Sequence, residues 1–390
     1  MKKVLIITQY FPPIGGVGVL RTTKFVKYLP EFDWEPIILT TGEDCCPKEL
    51  WRDLTLKKDI PENVHIYRTK MCNSYIVNDQ GIRWIPFLLR SLDKIIKKEQ
   101  PSLVYLTGGP FYPLIAGPFI KFFYKLPYIV DLRDPWRVAI STKKSSGLKF
   151  CLGKLVTRFL EPLIIRNAYK VICVTKTMIR KYLSIYPTLQ NKFILITNGF
   201  DPDDFKSIIP IVFKNFTIVY TGKFNNADPV PIFRAIKLLN YRKIKVQLIH
   251  IGAIESKIVS TAQNIGVEEA IKFIGPKSHS ETLCYAMGAN LLLVLGSHTN
   301  MALPVKFFDY IGCQRPVLVL AYKEEELAKF VSHIKGIKLI ENDNPQAIAN
   351  EIEKIYIKSY QIKIEKNKVK KYYRKNITHD LSQVFDKAFL

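Results

Sequence analysis

The first residues of the chain that could do chemistry are two glycines just ahead of a helical stretch. Gly15 and Gly16 follow the apolar run Val4–Ile7, and a helical pattern begins near Leu20. Glycines at such a place let the backbone approach an anion, and a helix N-terminus offers free N–H groups and the positive end of its dipole. The spacing matches neither Gly-x-Gly-x-x-Gly nor a P-loop, so a phosphate-binding loop and a plain tight turn both stay open.

Charged residues also follow two later apolar runs. The segment Asp131–Trp136, which contains Arg133 and Asp134, ends one run, and Gly222 and Lys223 end another. Ligands of open parallel sheets bind beyond the carboxyl ends of strands. We therefore expect the charges of the first segment to project towards a ligand rather than into the core.

These residues need parallel sheets to position them. Short apolar runs bounded by turn residues alternate with longer amphipathic stretches, which is typical of repeated βαβ units. Their near-continuous apolarity predicts strands covered by helices on both faces. The predicted strands are Val4–Ile7, Pro36–Thr40, Val64–Tyr67, Leu103–Leu106, Tyr128–Asp131, Val171–Thr175 and Phe193–Thr197, then Phe216–Thr221, Val246–Ile251, Ile271–Ile274, Leu291–Leu295, Pro316–Leu320 and Ile337–Ile340.

The length and composition favour two folded domains in a reducing compartment. The chain has 390 residues, 48% of them hydrophobic and 24% charged, which is long for a single core and typical of globular proteins. A turn-rich acidic segment, residues 198–204, is the predicted hinge. The seven cysteines include no Cys-x-x-Cys pair, so we expect free thiols, a cytoplasmic location and no structural zinc.

The charge balance predicts a phosphate-bearing partner. Lys and Arg number 58 against 34 Asp and Glu, a net charge of +24, which would attract nucleic acid, an anionic lipid surface or a nucleotide diphosphate alike. The chain shows no nucleic-acid-binding motif, so we expect no nucleic acid. Residues 82–98 and 143–170 mix aromatic and aliphatic with basic residues. They indicate helices that lie on an anionic membrane surface, or helices that bury their apolar faces in their own domain.

A series of motifs resembles one family. The opening YFPPIGGVGVLRTTKFVKYL is similar to the start of the family 4 type, retaining glycosyltransferases of GT-B fold. Further matches follow in order: GGPFYPLIAGPFI, LPYIVDLRDPW, VTKTM, ITNGFD, YTGKF, FIGPKSHSE and PVKFFDYIGCQRPVLVL. They span residues 3 to about 320.

The resemblance implies an α/β architecture of GT-B type, with two Rossmann-like domains facing across a cleft. Residues 1–205 would bind the acceptor, residues 206–376 would bind the nucleotide sugar, and a C-terminal helix, about 377–390, would pack back on the first domain. No metal or cofactor is expected.

The resemblance also assigns roles in the first domain. Gly15 and Gly16 would face the phosphates and the sugar of the donor, while Arg133 and Asn198 would bind substrate. Asp134 would position the acceptor hydroxyl or accept its proton. An ordinary Asp–Arg pair that ties down a loop is the alternative for Asp134.

In the second domain, Gly222 and Lys223 would hold the leaving diphosphate, with a solvated lysine as the alternative. The family has a second lysine soon after, which this chain lacks, and Lys306 could replace it. The family also has two glutamates eight positions apart. Here Asp309 stands at the second place, for the ribose, and Met301 at the first. The alternative for Lys306 and Asp309 is a surface salt bridge. His279 would cap the next helix or border the base pocket.

The implied activity is transfer of a sugar, with retention, from a nucleotide diphosphate sugar to a saccharide or lipid-linked saccharide in cell-surface polysaccharide synthesis. The enzyme would work in the cytoplasm, peripheral to the inner face of the membrane. A GT-B sugar-nucleotide epimerase and a non-catalytic basic membrane scaffold are the alternatives.

Overall fold

The structure is a computed structural model that describes residues 1–45, 52–72, 80–137, 148–224, 227–296, 301, 303–332, 334, 336–358 and 364–389. The chain divides into two compact units. The first contains Met1–Asn198 and Arg374–Leu390, and the second contains Gly199–Tyr373.

The first unit has a seven-stranded parallel sheet in the order β3-β2-β1-β4-β5-β6-β7. Its strands are β1 Lys2–Ile7, β2 Trp34–Thr41, β3 His65–Thr69, β4 Leu103–Thr107, β5 Tyr128–Leu132, β6 Lys170–Cys173 and β7 Phe193–Leu195. Its helices are α1 Val17–Tyr28, α2 Ile85–Glu99, α3 Ala116–Tyr124, α4 Leu148–Asn167, α5 Lys176–Ile185 and, from the end of the chain, α13 Arg374–Asp386.

The second unit has a six-stranded parallel sheet in the order β10-β9-β8-β11-β12-β13. Its strands are β8 Phe216–Thr221, β9 Val246–Ile251, β10 Ile271–Phe273, β11 Leu291–Leu295, β12 Val317–Leu320 and β13 Ile337–Ile340. Its helices are α6 Val230–Tyr241, α7 Ser256–Ile265, α8 His279–Gly288, α9 Val305–Cys313, α10 Glu326–Val331, α11 Pro345–Lys358 and α12 Lys366–Val369.

Each predicted apolar run overlaps an observed strand. The central strands are buried along their whole length, as in β4, β5 and β11, because side chains on both faces pack under helices. β7 stops at Leu195, short of the predicted Thr197. The carbonyls of Ile196 and Thr197 instead accept hydrogen bonds from Arg21.

The boundary between the units, after Asn198, lies within the predicted hinge of residues 198–204 and before the predicted domain limit at residue 205. Phe200 belongs to the second unit: its N–H donates to the carbonyl of Tyr372 at 3.0 Å, and its ring lies 5.2 Å from that of Tyr373. The chain returns to the first unit at Arg374, the start of α13. Near the end of this helix, the ring of Phe385 packs 5.2 Å from that of Trp34.

The amphipathic segment predicted at residues 82–98 is α2, and its apolar face is covered. Leu88, Leu92 and Ile95 are buried in the first unit, as is Trp84 just before the helix. Of the two interpretations predicted for this segment, the helix that buries its apolar face in its own domain is therefore the one observed, because the face that would enter the lipid is packed inside the unit. No described helix is long and apolar enough to cross a membrane.

An ion pair lies at the centre of the first unit. Arg21 of α1 binds both carboxylate oxygens of Asp131 in β5, at 2.9 and 3.1 Å, and neither side chain is more than 1% exposed. Tyr105 of β4 donates to the same carboxylate at 2.6 Å. Arg21 also donates to the carbonyls of Ile196 and Thr197 at 3.0 and 2.6 Å. One guanidinium thereby joins α1, β5 and the chain leaving β7.

We expect Arg21→Met to destabilise the first unit by about 3–5 kcal/mol, because it leaves the Asp131 carboxylate buried without its cation. All four tryptophans precede residue 137, so tryptophan fluorescence during urea unfolding reports on this unit. Lys97→Met, which breaks an exposed pair with Asp93, is the control and should leave the unfolding midpoint unchanged. Equal midpoints for the two variants would contradict the central role of the pair.

Candidate functional site

The loop after β1 reaches α1 through Gly16. This residue is the N-cap of α1 at φ +124°, a conformation that favours glycine. The helix has no acidic residue in its first turn and, in this described part of the chain, no side-chain cap. The predicted loop of Gly15 and Gly16 thus ends at a helix N-terminus that can accept a negative charge.

Arg133 lies over the start of this helix. A Cβ on Gly18 would sit 1.7 Å from its Nη1. Its guanidinium donates to the carbonyl of Gly108 from Nε at 2.9 Å and to that of Gly109 from Nη2 at 2.9 Å. Arg133 therefore links the loops after β4 and β5 and lies against the first turn of α1. Gly18 and the Gly108-Gly109 pair were not among the predicted site residues, although they lie in motifs that carry the family resemblance and the pair follows a predicted strand.

Asp134 is exposed at the end of β5. Desolvation by the protein around it raises the pKa of the Asp134 carboxyl, and the charge of Arg133 opposes that shift. Arg133 directs its hydrogen bonds to the carbonyls of Gly108 and Gly109, so the loop is tied down through those carbonyls. The Asp134 carboxylate is placed to accept a hydrogen bond from a ligand hydroxyl.

Two other polar residues of this region lie in the interior. Asp131 is 0% exposed, so the expectation that the charges of its segment project away from the core is wrong for this residue. It lies within β5, paired with Ile172 of β6, and its carboxylate faces Arg21. Asn198 is also buried, and its side-chain oxygen accepts from Arg21 at 3.3 Å. Substrate binding by Asn198 stays a prediction.

In the second unit the chain turns sharply at the end of β8. Gly222 has φ +87°, and the next residue, Lys223, is exposed. A Cβ on Gly252, after β9, would lie 2.7 Å from the Gly222 carbonyl oxygen. The two loops therefore touch through their backbones, and glycine is required at position 252 for that approach.

His250, the fifth residue of β9, fixes the direction of this turn. Its Nε2 is 2.8 Å from the Gly222 oxygen, and because a carbonyl can only accept, Nε2 carries the proton. Burial lowers the pKa of His250, which keeps the ring neutral. The peptide between Gly222 and Lys223 is trans, so its N–H points opposite to the bound carbonyl, away from the His250 ring. His250 was not a predicted site residue, and a lone histidine near the end of an apolar strand is the signal that could have indicated it.

Lys306, in the first turn of α9, reaches the same place. Its Nζ donates to the carbonyl of Thr221 at 2.6 Å and lies 3.5 Å from the ring centroid of Tyr220. It is 3.7 Å from where a Cβ on Gly222 would be. Burial lowers the pKa of this ammonium well below its ordinary range. Lys306 is thus directed at the end of β8, and the alternative of a surface salt bridge with Asp309 is wrong.

Asp309 instead faces His279. The imidazole Nε2 lies 3.5 Å from the Asp309 carboxylate, and the two side chains are 17% and 16% exposed. The prediction that His279 caps α8 is wrong, because Ser278 is the N-cap and forms a capping box with Glu281. His279 and Asp309 form a partly exposed polar pair between the N-terminus of α8 and the middle of α9.

One protein-family model matches the first part of the chain. Residues 14–204 match the family model described as Glycosyltransferase Family 4, which covers most of the first unit. No curated protein matches the chain.

Solved structures resemble the chain over its whole length. Sucrose-phosphate synthase from Thermosynechococcus elongatus has a TM-score of 0.74 at 15% identity, covering 100% of this chain and 99% of that one. HepE of Anabaena, in complex with UDP and glucose, has 0.71 at 13%, covering 99% and 100%. A putative UDP-N-acetylglucosamine 2-epimerase from Listeria monocytogenes has 0.64 at 14%, covering 100% and 97%. The predicted GT-B class, with two Rossmann-like α/β domains, is confirmed.

The burial of Lys306 predicts a pH dependence of stability. A lysine whose pKa is lower in the folded than in the unfolded chain releases a proton on folding, so stability rises with pH between the two values, the upper being about 10.4. Lys306→Met should flatten that rise, measured by circular dichroism in urea from about pH 7 to about pH 10. Lys257→Met, at an exposed position, is the control. Parallel curves for wild type and Lys306→Met would contradict the burial of this ammonium.

Proposed function

We propose that this protein is a glycosyltransferase that moves a sugar from a nucleotide diphosphate sugar to an acceptor hydroxyl. The observation that carries the proposal is the end of β8, where Lys306 Nζ lies within 3.7 Å of the Cβ position of Gly222 and the following peptide N–H points away from the His250 ring. A cation and a backbone donor beside a glycine turn form a site for a diphosphate. The family match over residues 14–204 supports glycosyl transfer as the reaction.

In the second unit, Lys223 and Lys306 neutralise the diphosphate as it leaves. A unit charge about 4 Å from another contributes about 4 kcal/mol at an effective dielectric constant of 20. The Lys306 amine is already held by Thr221 and Tyr220, so it needs little reorganisation, and a bound phosphate favours its protonated form against the effect of burial. We propose that these lysines, with helix N-termini, act in place of a metal ion.

The polar pair of Asp309 and His279 binds the nucleoside. A carboxylate can accept hydrogen bonds from both ribose hydroxyls, and the neighbouring imidazole keeps its orientation fixed. The complex of HepE with UDP and glucose, a protein of the same fold, supports a uridine nucleotide as the first donor to test.

In the first unit, the transferred sugar binds near Gly16 and Arg133, at the turn that the buried Gly15 precedes, and Asp134 receives the acceptor hydroxyl. We propose a saccharide or lipid-linked saccharide as the acceptor, retention at the anomeric carbon, and a role in cell-surface polysaccharide synthesis. The described cysteines Cys45, Cys72, Cys173, Cys284 and Cys313 are free, which supports a cytoplasmic location.

The experiment that tests the function is calorimetric titration with UDP, GDP and dTDP sugars, followed by product analysis with and without EDTA. Binding followed by sugar release or transfer, unchanged by EDTA, supports a metal-independent transferase. Release of an isomerised nucleotide sugar would identify an epimerase. Absence of binding to every donor would favour the non-catalytic membrane scaffold. Loss of activity with EDTA would overturn the proposal that the lysines act in place of a metal ion.

We expect Lys223→Ala to lower kcat by about 10²–10³-fold, because it removes a cation that acts on the leaving diphosphate. Turnover of the best donor from the titration is the measurement. Lys257→Ala, an exposed lysine of the same unit, should keep the wild-type rate. A rate for Lys223→Ala equal to that of Lys257→Ala would remove Lys223 from the site.

Asp134→Asn should lower kcat by about 10²–10⁴-fold if this carboxylate accepts the proton of the acceptor. The affinity for the nucleotide should stay unchanged, because Asp134 belongs to the first unit and acts on the other substrate. Steady-state kinetics and calorimetry on the same variant separate the two effects. Asp93→Asn, an exposed carboxylate on α2, is the control, and a weaker nucleotide affinity in Asp134→Asn alone would refute the assignment to the acceptor.

A further inference from the structure

Five large apolar side chains of the first unit are exposed on two neighbouring helices. Phe122 and Phe123 at the end of α3 are 68% and 61% exposed, and Leu155, Phe159 and Leu163 of α4 are 53%, 68% and 44% exposed. Helix α4 falls in the basic segment predicted at residues 143–170, of which residues 143–147 lie outside the described residues. In contrast to α2, these two helices leave apolar side chains in water.

The five side chains form one surface. Leu155, Phe159 and Leu163 stand four residues apart, so they form a single stripe along α4. The rings of Phe122 and Phe123 are 4.9 Å apart. A surface groove of about 560 Å³ joins the two helices, and it is lined by Pro118, Lys121, Phe122, Lys125, Leu163 and Asn167. We call this region the α3/α4 surface.

The exposed charges described on α3 and α4 have one sign. Lys121 and Lys125 line its groove, and Lys154, Arg158 and Arg166 are exposed along α4. The sequences of the two helices contain one acidic residue, Glu161, which is 1% exposed. Its carboxylate accepts from the hydroxyl of Tyr186 at 2.9 Å, so it does not offset the positive charge outside.

We propose that the α3/α4 surface binds the headgroups and outer acyl region of an anionic lipid bilayer. Exposed aromatic and aliphatic side chains bordered by lysine and arginine are suited to a bilayer interface, where the apolar groups enter the lipid and the cations contact phosphates. A second copy of this chain fits less well, because two copies of this surface would bring like charges together. The inference does not depend on glycosyl transfer, since it uses none of the residues assigned to that reaction.

Sedimentation of the full chain with vesicles tests this inference. We expect binding to vesicles of phosphatidylcholine mixed with phosphatidylglycerol, little binding to phosphatidylcholine alone, and weaker binding at high salt. The triple variant Phe122→Ser, Phe123→Ser, Phe159→Ser should bind at least about tenfold more weakly, because burial of each ring in lipid is lost. The control is Ile209→Ser, Val212→Ser, Tyr241→Ser, three positions of the second unit that are 82%, 93% and 73% exposed.

A charge variant gives an independent test. Lys121→Gln, Lys125→Gln and Arg158→Gln together should weaken binding by about 100-fold, at about fivefold for each cation. Circular dichroism confirms that each variant is folded, and analytical ultracentrifugation without lipid measures self-association. The proposal is overturned if the wild-type chain does not bind the anionic vesicles or if surface and control variants bind equally. It is also overturned if substitutions in the α3/α4 surface convert a dimer to a monomer.

Discussion

The first unit is organised around the buried pair of Arg21 and Asp131. Taking both charges out of water is costly, and the pair is tolerated because the carboxylate and guanidinium bind each other at two points and have further partners. Arg21 lies on the helix that follows the glycine loop, and Asp131 lies two residues before Arg133. The same contact therefore fixes both segments that carry the candidate residues of this unit.

In the second unit, side chains from neighbouring elements hold the backbone at the end of β8. Two consecutive carbonyls at the end of β8 are each held by a side chain from another element: Thr221 by Lys306 of α9 and Gly222 by His250 of β9. Tyr310 of α9 adds a third link, since its hydroxyl accepts from the N–H of Thr221 at 2.9 Å. In both units a basic side chain on a helix donates to backbone carbonyl oxygen at the end of a strand or just beyond it. The turn is thereby rigid before any ligand arrives, which lowers the cost of binding an anion.

The large positive charge has more than one use in this molecule. Arg21 serves the interior, and Lys306 lies at the turn proposed to bind phosphate. Other cations border the exposed aromatic rings of the α3/α4 surface. A net charge therefore attracts anions in general, and the side chains around each cation decide which anion fits: a diphosphate beside a glycine turn, or a lipid headgroup beside exposed phenylalanines.

The sequence by itself determined the strands, their division into two series and the loops that end them, because continuous apolarity and turn residues are local properties that folding preserves. Only the tertiary structure decided where side chains point. Residues 82–98 and α4 have similar amphipathic compositions, yet the apolar face of the first is buried, while α4 leaves apolar side chains exposed. Asp131 faces inward and Lys306 binds a carbonyl rather than Asp309, since each choice depends on partners distant in the chain, which spacing along the sequence does not encode.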